Sequence, residues 1–316
     1  MSLRLKKLKI ERLFGQKNIE LDFKEVNVLV GKNGLGKTTV LKILNALLTG
    51  DINCHELTLC EKAALTFNTG EIISFINNDE VAISKYLDKL LEDFDIKGEI
   101  SHLNIISEVV NKINKKKGAI HHDIITYSND SLMEKLSKEV NVCYISTLNM
   151  SANAHQEITK SDGRTKNILD WELDDDLKKL MQIKDSSQAK KFETVMTLLL
   201  TDSGKYVKII NNESVNFYDN KSNRLIALEN LSSGERQIIY ILTKIANTQG
   251  KPTFLLMDEP EISLHLNWQE KLIDNILEIN NQCQIMVVTH SPAIIMDGYM
   301  DSYVDIKQIT TEMLSG

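Results

Sequence analysis

Val26-Asn-Val-Leu-Val-Gly-Lys-Asn-Gly-Leu-Gly-Lys-Thr-Thr39 is the stretch that decides the fold. Val26 to Val30 is a short apolar run rich in β-branched side chains, the pattern of a buried strand. It passes directly into Gly31, Asn33, Gly34 and Gly36, and then into Lys37, Thr38 and Thr39. Beyond them Val40, Ile43, Leu44 and Leu47 recur at helical spacing. Strand, glycine-rich turn and helix is the context in which a G-x-x-x-x-G-K-[ST] segment cradles phosphates. Glycines let the backbone curl until its N–H groups converge on an anion, and the helix N-terminus adds the positive end of its dipole. Lys37 is expected to reach the β- and γ-phosphates of a nucleotide, and the Thr38 hydroxyl to ligate Mg²⁺. With glycine at about 7% of residues, chance supplies such a segment on the order of once per hundred chains of this length. The flanking strand and helix make coincidence rarer still.

A second buried strand, Thr253-Phe-Leu-Leu-Met257, delivers Asp258-Glu259-Pro260. Two acids at the end of an apolar strand are costly unless a cation or a proton-transfer step uses them. Asp258 is expected to hold Mg²⁺ through water, and Glu259 to orient or deprotonate the attacking water. A third strand, Gln284 to Thr289, ends in His290-Ser-Pro292. A histidine at a strand end lies where open α/β sheets place ligand contacts, and it can donate to a γ-phosphate. Between the first and second strands, Leu231-Ser-Ser-Gly-Glu-Arg-Gln237 opens an apolar helix with Ile238, Ile239, Ile241, Leu242 and Ile245. Ser232 or Ser233 can cap that helix. The Ser232 hydroxyl and the close backbone approach that Gly234 allows also suit an anion at its N-terminus.

At this point the sequence resembles the ABC ATPases. Leu231-Ser-Ser-Gly-Glu235 is similar to their signature motif, Gly31 to Thr38 to Walker A, and Phe254 to Glu259 to Walker B with its catalytic glutamate. Ile262-Ser-Leu-His265 falls at the D-loop and His290 at the switch histidine. The resemblance implies ATP and Mg²⁺ as cofactors, and a signature that grips the γ-phosphate of ATP held by a partner subunit. A homodimer around two ATP molecules follows. Leu8 to Gly15, Ile19 to Phe23, Asp258 to His265 and Thr289 to Pro292 resemble the SMC, RecF and OLD-type branch. Few residues follow His290, so a fused nuclease is not expected, and the resemblance narrows to stand-alone ATPases of bacterial anti-phage defence of Septu and retron type. These imply a separate effector protein, a nuclease or toxin. A DNA-repair or DNA-end-sensing ATPase and an ATP-bound scaffold without turnover are the alternatives. Ser233 and Glu235 depart from the usual Gly and Gln of the signature. Gln156 is a candidate for the Q-loop, as is an ordinary loop role for it.

The expected fold is an α/β ABC-type head, a mixed sheet with flanking helices, carrying a mostly helical insertion. Residues 1–75 and 201–316 are read as the two parts of the core and 76–200 as the insertion. Within the insertion, apolar stripes run over Ile83 to Phe94, Ile106 to Ile113, Leu173 to Met181 and Phe192 to Leu199, and Val142 to Ser146 reads as one short strand. No sustained heptads point to a coiled-coil arm. The net charge of −7 argues against a dedicated nucleic-acid binder. Nucleic acid remains a possible partner through two basic clusters, Arg4 to Lys9 and Lys112 to Lys117. No apolar run reaches the roughly 18 residues of a membrane helix, so no membrane partner is expected. The N-terminus lacks a signal-peptide pattern, and four cysteines without CxxC spacing read as reduced thiols of a cytoplasmic protein.

Overall fold

Strands that are apolar at every position and strands that alternate fold into different sheets. Val26–Val30, Thr253–Asp258 and Cys283–Val288 are buried almost throughout, which requires cover on both faces and suits a parallel sheet. Leu5–Leu13 and Lys62–Phe67 alternate between buried and exposed residues, which suits an antiparallel sheet with one wet face. The computed structural model describes residues 2–77, 125–146, 157–159, 165–182, 187–211, 213–296 and 298–312.

Along the chain the described elements are β1 (Leu5–Leu13), β2 (Lys17–Asp22), β3 (Val26–Val30), α1 (Lys37–Thr49), β4 (Lys62–Phe67), β5 (Ile72–Ile76), β6 (Ile125–Tyr127), α2 (Asp130–Lys138), β7 (Asn141–Ser146), β8 (Glu157–Thr159) and β9 (Thr165–Asn167). They continue with α3 (Ile168–Gln182), α4 (Ser187–Thr201), β10 (Lys205–Ile210), β11 (Ser214–Asp219), β12 (Leu225–Ile226), α5 (Ser233–Ala246), β13 (Thr253–Asp258), α6 (Leu266–Glu270), α7 (Leu272–Ile279), β14 (Cys283–Val288), β15 (Tyr303–Asp305) and β16 (Thr310–Glu312). The parallel sheet has the order β15-β3-β14-β13-β7, and the antiparallel sheet the order β16-β2-β1-β4-β5-β6. A three-stranded sheet β10-β11-β12 and the hairpin β8-β9 complete the described strands.

The parallel sheet divides two apolar cores. Leu29, Phe254, Leu256, Met286 and Val288 point to one side and pack with α1 and the antiparallel sheet. Val28, Leu255, Met257, Ile285 and Val287 point to the other and pack with α3, α4, α5 and α7. The helical stripes Leu173, Leu177, Leu180, Met181 and Phe192, Val195, Met196, Leu199 are all buried there.

The expected division of the chain at 76–200 differs from this arrangement. β6 pairs with β5, and β7 pairs along its length with β13, bringing Ser146 into register with Asp258. Strands of both sheets thus arise from within that segment, because β13 needs a neighbour on its open side to satisfy its backbone groups. The stripes at Ile83 to Phe94 and Ile106 to Ile113, the basic cluster Lys112 to Lys117, and Gln156 lie outside the described residues. No described helix is long and apolar enough to cross a membrane, and the four cysteines form no disulfide.

Candidate nucleotide site

β3 stops at Val30 and α1 starts at Lys37, so the glycine-rich turn lies at the C-terminal edge of the parallel sheet. Gly36 is the N-cap of α1 in a left-handed conformation, φ 96°. A Cβ there would stand 2.9 Å from the Phe14 ring, so both backbone and space require glycine. No side chain caps α1, and the amide donors of its first turn face the cleft. The cleft, about 330 Å³, is lined by Asn33, Gly34, Gly36, Lys37, Thr38 and Thr39 on one side and by Glu259 and His290 on the other, with Phe14 beside them. Gly31 lies just outside it; its carbonyl accepts from Lys37 Nζ at 2.9 Å, and the Lys32 carbonyl does so at 3.3 Å. Lys37 is 5% exposed. Burial lowers its pKa below the usual lysine value, against the opposing pull of Glu259, Asp258 and Glu261.

Thr38 Oγ1 donates to Asp258 Oδ1 at 3.0 Å, although the two residues are more than two hundred positions apart. Asp258 is 2% exposed. Burial raises its carboxyl pKa and the charge of Glu259 adds to the rise, while the Thr38 hydrogen bond opposes it. A hydroxyl and a single buried carboxylate are hard oxygen donors. No cluster of three His, Cys, Asp or Glu side chains exists among the described residues. That donor set fits Mg²⁺, which keeps most of its waters and takes phosphate oxygens beside one or two carboxylates.

Glu259 follows Asp258 with φ 51°, a conformation that costs a non-glycine residue on the order of 1 kcal/mol or more. Its N–H donates to Val288 O at 2.8 Å, which holds the turn and aims the side chain along the sheet edge. His290 Nε2 lies 3.1 Å from Lys37 Nζ and 3.2 Å from Glu259 Oε1. Both contacts use the same ring nitrogen, and they need opposite protonation. Nε2 accepts from Lys37 only when bare and donates to Glu259 only when it carries a proton. His290 can therefore engage one partner or the other, and its proton decides which.

The residues expected to form a signature stand apart from this cleft: Ser232, Gly234 and Glu235 are not among its lining residues. Ser232 caps α5, accepting from Glu235 N at 3.2 Å, and Glu235 closes a capping box by accepting from Ser232 N at 2.8 Å. The other Glu235 oxygen accepts from Lys205 Nζ at 2.7 Å. Burial works to raise the Glu235 pKa, but these partners hold it below the usual carboxylate value. Glu235 is 2% exposed and its carboxylate braces the Ser232 turn from inside the fold, whereas Ser232 and Ser233 are exposed. Gly234 makes a close approach of its own: a Cβ there would sit 2.4 Å from Ser263 O. Gln237 Nε2 also reaches Pro260 O at 2.7 Å, so α5 is held against the loop that follows Glu259.

Phe14, Lys205, Glu261 and Gln269 belong to this region without having been singled out in the sequence. Glu261 sits inside the Asp-Glu-Pro-Glu run, where its spacing from Asp258 was a usable signal. Phe14 and Lys205 carry none, since only tertiary folding brings them here. The basic residues Arg4 to Lys9 largely meet acids: Arg4 pairs with Glu25 at 3.5 Å, Lys7 with Glu20 and Asp22, and Lys9 with Glu20 at 3.7 Å. An ion-paired strand face is a poor phosphate track.

A family model described as "AAA domain, putative AbiEii toxin, Type IV TA system" matches residues 72–297, well over half of the chain. The Septu protein PtuA of Bacillus thuringiensis is 24% identical over 315 residues, which cover 91% of this chain and 72% of that protein. The spermidine/putrescine import ATP-binding protein PotA of the Aster yellows witches'-broom phytoplasma is 23% identical over 289 residues, 86% of this chain and 58% of that protein. Among solved structures, the SMC head domain from Thermotoga maritima aligns with a TM-score of 0.51 at 13% identity, covering 99% of both chains. The fold is that of an SMC-like ABC-type ATPase head.

Proposed function

Since the chain belongs to the AAA-domain family described as putative AbiEii toxin, Type IV TA system, we propose that it is a Mg²⁺-dependent ATPase that dimerises around two ATP molecules and controls a separate effector in anti-phage defence. The observation that carries the reading is the convergence of Lys37, Thr38, Asp258, Glu259 and His290 at one sheet edge, with His290 Nε2 3.1 Å from Lys37 Nζ and 3.2 Å from Glu259 Oε1, and Thr38 Oγ1 3.0 Å from Asp258 Oδ1. Lys37 and the amides from Asn33 to Thr39 bind the triphosphate. Thr38 and Asp258 would hold Mg²⁺, which neutralises charge on the phosphate oxygens during transfer. Glu259 orients the attacking water and accepts its proton. His290, released from Lys37 when the lysine turns to phosphate, donates to the γ-phosphate. The exposed Ser232 and the first turn of α5 lie outside their own cleft, which supports a role toward ATP on a second copy.

Turnover and light scattering on wild type, Glu259→Gln and Lys37→Ala test this. Glu259→Gln should cut hydrolysis about 10³-fold and accumulate an ATP-bound dimer, since base or oriented-water assistance is worth 10²–10⁴. Lys37→Ala should neither bind ATP nor dimerise. A Glu259→Gln variant that turns over at the wild-type rate removes the base assignment, and a wild type that stays monomeric with ATP and Mg²⁺ removes the sandwich. The likeness to the Septu protein PtuA supports the defence role. Phage plating on cells that express the chain with its neighbouring genes, with and without Lys37→Ala, checks it.

A further inference from the structure

We propose that Glu261 is the positioning residue for His290, an inference that rests on the ATPase reading above. One Glu261 oxygen, Oε1, accepts the backbone N–H of His290 at 2.8 Å and that of Ser291 at 3.2 Å. A carboxylate taking two amide donors makes charge-assisted bonds roughly twice as strong as neutral ones. Two such bonds at adjacent residues fix the peptide plane from which the imidazole projects. The second oxygen, Oε2, is buried with no hydrogen-bond partner among the described residues.

The anchor is itself held rigidly. Ser291 Oγ donates to Gln269 Oε1 at 2.7 Å, and Gln269 Nε2 donates to Leu264 O at 2.8 Å. Glu261 thus holds the histidine turn from one side while Gln269 holds it from the other and returns to the same loop. That loop is in turn fixed to α5 through Pro260 O, which accepts from Gln237, and Ser263 O lies close against Gly234. Glu261 does not line the nucleotide cleft. It acts through the backbone of His290 and leaves phosphate binding to the glycine-rich turn. A displacement of the imidazole by about 1 Å is enough to cost on the order of 100-fold in rate.

The test uses the full chain with Glu261→Ala, Glu261→Gln, His290→Ala and the Glu261→Ala/His290→Ala double variant, each checked by circular dichroism. Glu261→Ala should lower kcat about 100-fold and leave the KM for ATP within threefold. Glu261→Gln keeps an acceptor oxygen in place and should recover at least a tenth of wild-type kcat. The double variant should be no slower than His290→Ala alone. Additive losses, a raised KM, or a Gln variant as slow as Ala would overturn the proposal. Nuclear magnetic resonance of the imidazole nitrogens gives a readout independent of turnover: the His290 signals should shift in Glu261→Ala and stay in place in Lys205→Ala. Unchanged His290 signals in Glu261→Ala sink the positioning role even if no ATP is hydrolysed. Shifted signals in a chain without turnover uphold the positioning and sink the ATPase reading instead.

Discussion

Asp258 shows how one residue can oppose stability while serving chemistry. Its carboxyl is buried at the end of β13, and its pKa in the folded chain is raised. A raised carboxyl pKa means that the folded state binds the extra proton. Stability therefore falls as pH rises from the unfolded value through the folded one, and at neutral pH the ionised group is a cost. Asp258→Asn keeps an oxygen for Thr38 and removes the charge. In metal-free buffer at pH 7.5 it should melt about 2 °C higher than wild type, with no gain near pH 3 and no Mg²⁺-dependent turnover. Thermal melts at the two pH values check this. Gly234 carries the opposite kind of constraint. A methyl group 2.4 Å from the Ser263 carbonyl forces α5 and the loop apart. Gly234→Ala should cost about 1–3 kcal/mol in urea unfolding and slow hydrolysis through the displaced loop.

At the scale of elements, α5 is the hub. Arg236 reaches Asp170 at 3.2 Å and Lys244 reaches Asp176 at 2.7 Å, with both acids nearly buried on α3. Removing one member of such a pair takes from a nearly buried acid one of the partners that offset its desolvation. Arg236→Ala should lose about 1.5–3 kcal/mol of stability, the worth of a hydrogen bond to a charged group, and the loss should be smaller in an Asp170→Asn background, as a double-mutant cycle in urea would show. The N-terminus of α5 depends on acid in a different way. The Glu235 pKa is lowered in the folded chain, so its contribution is present above the unfolded carboxylate value and is lost as pH falls through the lower folded one. Lys205→Ala should flatten that acid-side loss, measured as the slope of unfolding free energy between about pH 5 and pH 3.

In the whole molecule, the parallel sheet sorts side chains onto two faces. One face meets α1 and the antiparallel sheet, the other meets α3, α4, α5 and α7. The C-terminal strand ends are left for chemistry, as open α/β sheets commonly arrange. The head has its cleft on one edge and the Ser232 turn outside that cleft, and on the proposed reading a single copy holds half of each site. Binding should therefore depend on chain concentration in Glu259→Gln. The apparent ATP affinity should tighten as the protein is raised through its dimer dissociation constant, and equilibrium dialysis at several chain concentrations measures that.

The sequence alone determined β3, β13 and β14 and the apolar faces of α1, α3, α4 and α5. β3 with its glycine turn, β13 with its acids, and the Ser232 cap are local patterns, fixed by backbone periodicity, turn geometry and capping over a few residues. The stripes of α3 and α4 were legible for the same reason. Tertiary structure alone decided that His290 shares one nitrogen between Lys37 and Glu259, that Phe14 presses on Gly36, and that β7 joins the core sheet beside β13. It also decided that Gly234 is glycine because of Ser263 and that Glu235 is held by Lys205. Those contacts join residues tens to hundreds of positions apart. Their cause is the burial of two apolar sheet faces, and no local pattern in the chain encodes which distant partner that burial brings near.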